Sequence, residues 1–334
     1  MCSCAGPIET TESALAASSQ AGHPMQKNPL AATGFLCLGV LIFSLQDAIL
    51  KGLSDTYSVT QAITVRSIVA LPILVVLVRA TGSIRFLLSK RAGLLTIRAV
   101  ILLGAYLCYY LSIAAMPLAD AIALYFVAPL IIAGLGILFL GERPHQTTYM
   151  ALVLGLIGVI ITLEPGLAAF EWASALTLLA AALYSSAQIL VRKLGDSESA
   201  AVITFYQNLA FLIGAPVLAI LVSSSGLEDA GHPSLAFLTR PWVWPTLNDT
   251  LLMAGCGVIA SAGMTLLAQA YRLAPAGNIA VFEYSAIIWV PLWGFLFFDE
   301  VPRFTTVVGA ALICGAGLFA LIGQSFAKNV AEPT

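Results

Sequence analysis

Long apolar runs divided by short polar breaks set the pattern of this chain. They fall at residues 31–50, 59–78, 96–115, 118–140, 147–164, 173–191, 201–222, 248–270, 276–298 and 304–323. A helix of about 20 residues at ~1.5 Å rise crosses a hydrocarbon core of about 30 Å, so each run is long enough to span, the fifth being the shortest. None alternates apolar with polar residues, and all exceed the length a barrel strand needs. The pattern therefore predicts an all-α integral membrane protein with ten transmembrane helices. Only the turn at Met116 and Pro117 separates the third run from the fourth.

The runs are not independent of one another. A shift of 158 positions superposes PLADAIALYFVAPLIIAGLGILFLGERP, from Pro117 to Pro144, on PAGNIAVFEYSAIIWVPLWGFLFFDEVP, from Pro275 to Pro302. Ala128 lands on Ala286, Gly136 on Gly294, Leu138 on Leu296, Phe139 on Phe297 and Glu142 on Glu300. A shift of 141 carries Ser44, Asp47 and Lys51, one helical face at i, i+3 and i+7, onto Ser185, Gln188 and Arg192. Two offsets imply an insertion, most of it in the loop after residue 222. Five spans per half is an odd number, so the second copy enters the membrane from the opposite side. The prediction is two inverted five-helix repeats, residues 30–165 and 172–324, with a site at their interface near the midplane.

Composition agrees with the runs. Hydrophobic residues make up 60% of the chain and charged ones only 10%, against roughly 25% charged in an average soluble domain. Basic residues fix an orientation. With the N-terminus inside, Lys27, Arg79, Arg85, Lys90, Arg91, Arg143, Arg192, Lys193, Arg272 and Lys328 collect on the cytosolic side. Only Lys51, Arg240 and Arg303 fall opposite, where Glu164, Glu171, Glu228, Asp229 and Asp249 lie. Positive-inside asymmetry thus predicts two cytosolic termini, with 1–29 a disordered tail and 325–334 a second tail. A start at Met25 would also make a compact beginning for a membrane protein. The six cysteines read as small packing residues, four of them inside apolar runs. Trp242 and Trp244, in the long external loop 223–247, read as interfacial anchors.

Ionisable groups within spans cost about 2.5–3.5 kcal/mol each at the helix centre, so they face a cavity or a partner. Asp47 and Arg66 sit at similar depth in adjoining helices and are placed to pair, with Lys51 a second partner for Asp47. Two readings stay open for them: an ion pair tying the first two helices, or substrate binding and coupling. Their repeat equivalents, Gln188 and Gln207, are neutral, so the charge is kept on one side only. Glu283 has no basic residue within reach on its own helix and is costly to keep charged at its depth. That motivates proton coupling, with a proton as coupling ion, or pairing with a cationic part of the substrate. The alternative is a structurally satisfied carboxyl bonded to Gln269, Asn278 or Tyr284. Tyr125 is the 158-shift equivalent of Glu283, and Asp120 that of Asn278. Asp120, Glu142 and Glu300 read as helix-end capping or packing residues. Arg98, Tyr106 and Tyr110 share a face of the third span with Tyr109 alongside, and Ser261, Thr265 and Gln269 make a stripe on the eighth. Both polar faces suggest a wet cavity, its tyrosines suited to a flat amphipathic ligand. Arg98, near the cytosolic end, is also placed to snorkel.

The motifs FSLQDAILKGLS in the first span, PLADA…LGERP in the fourth and PAGNIA…FDEVP in the ninth resemble the two EamA modules of the drug/metabolite transporter superfamily. The resemblance covers about residues 30–324. It implies a ten-helix carrier with alternating access in the bacterial inner membrane, moving a small organic metabolite without ATP. Riboflavin, amino acids or related exported metabolites, and S-adenosylmethionine are the substrate classes it brings. No Gly-Lys-Ser phosphate loop is present, and no cofactor, metal, catalytic group or nucleic acid is implied. His23, His145 and His232 all lie in the tail or loops, which leaves a membrane enzyme without a catalytic set. A channel is the other alternative class. Partners are thus the small-molecule substrate and the lipid bilayer, and nothing in the sequence sets an oligomeric state.

Overall fold

The computed structural model describes residues 29–81, 89–141, 146–163, 172–194, 198–226, 231–274 and 276–331. The expectations for residues 1–28, for Met25 as a start and for Glu142 lie outside these residues. The helices are α1 Pro29–Leu53, α2 Val59–Thr81, α3 Ala92–Ile113, α4 Leu118–Tyr125, α5 Ala128–Leu140, α6 Gln146–Leu163 and α7 Trp172–Leu194. They continue as α8 Ala200–Ser224, α9 Pro233–Thr239, α10 Leu247–Leu273, α11 Ala276–Ile279, α12 Ala286–Phe298 and α13 Phe304–Ala331, with a 3₁₀ turn Ala280–Ser285 joining α11 to α12. Among the described residues seven stretches are long and apolar enough to cross a membrane, one being Leu118–Leu140 taken across α4 and α5; Phe282–Phe298 and Phe304–Ala316 are shorter apolar helices. α13 runs on to Ala331, beyond the end the apolar pattern set for it.

Packing follows the repeat. α1 packs on α10 and α3 on α7, and exchange of the two halves converts one contact into the other. The same exchange converts α5 on α7 into α12 on α1, while α2 on α8 and α6 on α13 map onto themselves. Such a pattern is what a pseudo-two-fold axis between inverted repeats produces. Leu138, Phe139, Leu296 and Phe297, equivalent under the 158 shift, are all exposed. Large apolar side chains on the outside suit a lipid solvent.

Two spans are interrupted, at equivalent places. Pro129 has no N–H to offer the carbonyl of Tyr125, four residues back, and α4 ends there before α5 resumes at Ala128. In the second copy the backbone tightens to 3₁₀ over Ala280–Ser285. The two copies also end alike: Gly141 (φ 65°) and Asp299 (φ 55°) are left-handed C-caps. Only Asp299 bears a side chain in that conformation, among the described residues. Asp299→Gly is expected to raise stability by about 0.5–1 kcal/mol by relieving the left-handed strain, read as a higher midpoint in a thermal unfolding scan of purified protein.

Ion pairs bind one repeat to the other. Lys51 Nζ lies 2.7 Å from Glu300 Oε1 and donates to the Met116 carbonyl at 2.7 Å, while Glu300 Oε2 accepts from the Leu118 amide at 2.9 Å. Arg303 pairs with Asp120 at 2.6 Å, and Thr306 donates to the same carboxylate. Glu300 therefore does cap a helix, but one in the other repeat. The segment holding α9 is stitched to the start of α2: Gln61 bonds Val243 through both its amide nitrogen (2.6 Å) and its oxygen (3.2 Å), and Trp242 donates to Thr60.

Candidate functional site

Between the repeats lies a cavity of about 130 Å³, whose walls include Asp47, Arg98, Tyr125, Gln188, Gln207 and Glu283. Both members of two repeat pairs, Asp47 with Gln188 and Tyr125 with Glu283, are thus in one cavity, whereas of Arg66 and Gln207 only Gln207 lines it. α3 supplies a whole wall. Arg98, Leu102, Ala105, Tyr106 and Tyr109 follow i, i+4, i+7, i+8 and i+11, a face about 16 Å long at ~1.5 Å per residue.

Toward one end of that face stands Asp47. Tyr109 donates to its Oδ2 at 3.2 Å, and the Tyr110 hydroxyl oxygen lies 3.2 Å from its Oδ1. Tyr110 has a single hydroxyl proton, and its oxygen also lies 2.7 Å from the Gln46 amide. Turned so that its oxygen faces Tyr110, that amide accepts the Tyr110 proton and a bond from Arg66 Nη1 at 3.0 Å, and donates to the Cys256 carbonyl at 3.2 Å. Arg66 is 1% exposed, with its guanidinium over the rings of Tyr106 (4.7 Å) and Phe211 (5.2 Å). Asp47 and Arg66 therefore form no direct ion pair; Gln46 and Tyr110 stand between them. The expected Lys51 partner is also lost to Asp47, because Lys51 turns to Glu300.

Glu283 sits in the 3₁₀ interruption, and its Oε1 accepts from Tyr184 and Tyr271, both at 2.6 Å. Two of the partners expected from the sequence are not bonded to it. Gln269 accepts from Arg272 at 2.8 Å, the Tyr284 hydroxyl has no hydrogen-bond partner among the described residues and its ring packs on Phe126, and the Asn278 side chain is outside the described residues. Tyr rings join the two carboxylates: Tyr109 meets Tyr125 at 5.2 Å and Tyr125 meets Tyr184 at 5.6 Å. Arg98 does not snorkel. It is buried, donates to Gln207 at 3.0 Å and lines the cavity, and Gln207 reaches the Met264 sulfur at 2.7 Å.

The stripe on α10 takes no part. Ser261 and Thr265 return their hydroxyls to Val258 and Ser261 carbonyls one turn back, and Met264, Leu267 and Ala268 face the cavity instead. Tyr184 and Tyr271 were not singled out in the sequence, although Tyr184 lies one turn before Gln188 and so on the same face. Among the described residues no group of His, Cys, Asp and Glu is arranged to hold a metal ion.

Known proteins carry the same pattern. The model of the EamA-like transporter family matches residues 31–164 and again residues 171–322. A pseudopaline exporter of Pseudomonas aeruginosa is 28% identical over 278 residues, covering 83% of this chain and 90% of that protein. A riboflavin transporter of Vibrio cholerae is 26% identical over 293 residues, covering 87% and 91%. A solved crystal structure superposes with a TM-score of 0.65 at 16% identity over 88% of this chain and 98% of that one, a likeness of fold alone.

Proposed function

The chain belongs to the EamA-like transporter family, and we propose that its inter-repeat cavity is the substrate site of an alternating-access cycle. It is a multi-pass membrane protein and a secondary transporter of small metabolites. One observation carries the assignment of the site. Two carboxylates and a ladder of tyrosines from opposite repeats meet in one cavity, beside the interruptions of two spans. Broken helices at a repeat interface leave backbone and side chains free to hold a ligand at membrane depth.

In this reading Asp47, Tyr106, Tyr109, Tyr110, Tyr125, Tyr184 and Glu283 contact the substrate, and Gln188 and Gln207 help orient it. Arg66 acts as a positioning residue behind Tyr106 and Tyr110. The aromatic lining favours a ligand with a flat ring, whether riboflavin, an aromatic amino acid or S-adenosylmethionine. The protein is read as a carrier and not an enzyme, in a bacterial inner membrane with both termini cytosolic. A proton is the coupling ion of this reading, with Glu283 its site.

Counterflow in proteoliposomes tests the cycle. Vesicles preloaded with one of these compounds are expected to take up its labelled form faster than empty vesicles, and to overshoot equilibrium transiently. A channel gives no such acceleration. Equal entry with and without preloading for every compound that enters would remove the carrier reading.

A further inference from the structure

Of the two carboxylates in the cavity wall, Glu283 has no guanidinium behind it among the described residues, and the guanidinium of that wall, Arg98, does not meet it. Glu283 and Arg98 both line the cavity, yet among the described residues neither is in an ion pair. Glu283 accepts from two neutral phenols, and Arg98 donates to the neutral amide of Gln207. Asp47 differs, because Arg66 stands behind it through Gln46 and Tyr110. A purely structural pair of buried charges is least costly in direct contact, since each removed from water needs compensation. Here the two are held on the walls of a space instead.

Hydrogen-bonding capacity is also left over in those walls. Arg98 is 3% exposed, and among the described residues its Nε has no partner and the buried Gln188 has none for its Oε1. One is a donor and the other an acceptor. Unmade bonds on buried polar groups cost about 1–3 kcal/mol each, which a ligand offering the matching groups recovers on binding. Beside Glu283 the rings of Tyr184 and Tyr125 stand 5.6 Å apart, and electron-rich faces next to a carboxylate favour a cation.

From this arrangement we infer that the substrate is amphoteric: its cationic nitrogen or sulfonium seats against Glu283, Gln188 and the tyrosine rings, and its carboxylate is taken by Arg98. The inference rests on the carrier reading of the same cavity and narrows it. A singly charged ligand leaves one of the two protein charges unanswered, and a neutral ligand such as riboflavin leaves both. Selectivity thus comes from a penalty on the wrong ligand as well as from contacts to the right one.

The test uses probes that share a ring and differ in charge. L-Tryptophan is amphoteric, tryptamine only cationic and indole-3-propionate only anionic; S-adenosylmethionine adds an amphoteric sulfonium and riboflavin a neutral flat ring. Binding to the purified full-length protein is measured by thermal shift and by titration, and transport by counterflow. At least one amphoteric probe is expected to bind about tenfold or more tightly than both singly charged analogues and riboflavin. Glu283→Gln is expected to erase its advantage over the analogue lacking the amine, and Arg98→Gln its advantage over the analogue lacking the carboxylate. Arg98→Lys, which keeps the charge and loses the planar fork, serves if Arg98→Gln does not yield monodisperse protein, and an intermediate loss is expected of it. Riboflavin or a singly charged probe binding as well as every amphoteric one overturns the inference, as does absence of binding by any amphoteric probe or an unchanged ranking in the variants. Riboflavin counterflow would sink the inference and leave the carrier standing. Amphoteric binding without counterflow would do the reverse.

Discussion

Glu283→Gln is expected to reduce gradient-driven transport by about 10- to 100-fold, the range that loss of a charged hydrogen bond of ~1.5–3 kcal/mol gives, while leaving the fold intact. The side chains have the same shape, and a glutamine Oε1 still accepts from Tyr184 and Tyr271, so those contacts survive. What disappears is the negative charge in the cavity wall. Two consequences separate the roles assigned to it. If Glu283 served coupling alone, the variant would keep counterflow at equal pH on both sides and lose only accumulation driven by a pH gradient. If it also holds the substrate's cation, counterflow falls too, and that is the expected result. Tyr125→Phe keeps the ring that stands between Tyr109 and Tyr184 and removes only a hydroxyl. Its loss should stay under about tenfold, the cost of one neutral hydrogen bond. Uptake and pH response unchanged in Glu283→Gln proteoliposomes would end both roles.

Why the sequence pointed to Glu283 at all has a physical basis. Inverted repeats place equivalent positions symmetrically about one axis, so a residue near the axis meets its own counterpart. Reading the chain at shifts of 158 and 141 therefore delivered Tyr125 with Glu283 and Asp47 with Gln188, and all four line the same cavity. Other equivalent positions became scaffold even where the residue differs: Gly141 and Asp299 both take the left-handed cap. Helical spacing alone was weaker. It placed Arg98, Tyr106 and Tyr110 on the cavity wall, but it could not tell that Ser261 and Thr265 bond back to their own helix.

Contacts between repeats were the least legible. Lys51 lies one turn from Asp47 in sequence and was expected to serve it, yet it pairs with Glu300, 249 positions away. Nothing in local spacing distinguishes those outcomes, because the choice depends on which helix ends the two-fold axis brings together. Asp120 illustrates the same point. Its place in the first turn of α4 suggested interaction with the helix dipole, and it is there, but its charge is met by Arg303 and Thr306 of the other repeat. Tyr184 and Tyr271 come from α7 and α10, in the second repeat with Glu283, and only the folded bundle shows that both hydroxyls converge on it.

Gly257→Val should prevent folding, and Gly257→Ala should already cost about 1–3 kcal/mol as an overpacked contact. A Cβ at this position would lie 2.5 Å from the Arg66 carbonyl oxygen and 2.7 Å from Val69 Cβ. Neither is the end of a flexible side chain, so α2 and α10 must move apart to admit it. That separation reaches the site. The preceding carbonyl, of Cys256, accepts from Gln46, and Gln46 in turn accepts from Arg66 and from the Tyr110 hydroxyl that lies beside Asp47. Gly257→Ala is therefore expected to lower the thermal midpoint and also to weaken substrate binding, although Gly257 does not line the cavity. Gly255 is the control on the same helix: a Cβ there meets nothing within 4 Å. Gly255→Ala should be neutral, or stabilising by up to about 1 kcal/mol through helix propensity. The comparison is read from the midpoints of detergent-purified variants by size-exclusion fluorescence. Equal midpoints for Gly257→Val and Gly255→Ala would show that α2 and α10 are not closely packed at this crossing. The coupling between that crossing and Asp47 would then be lost with it.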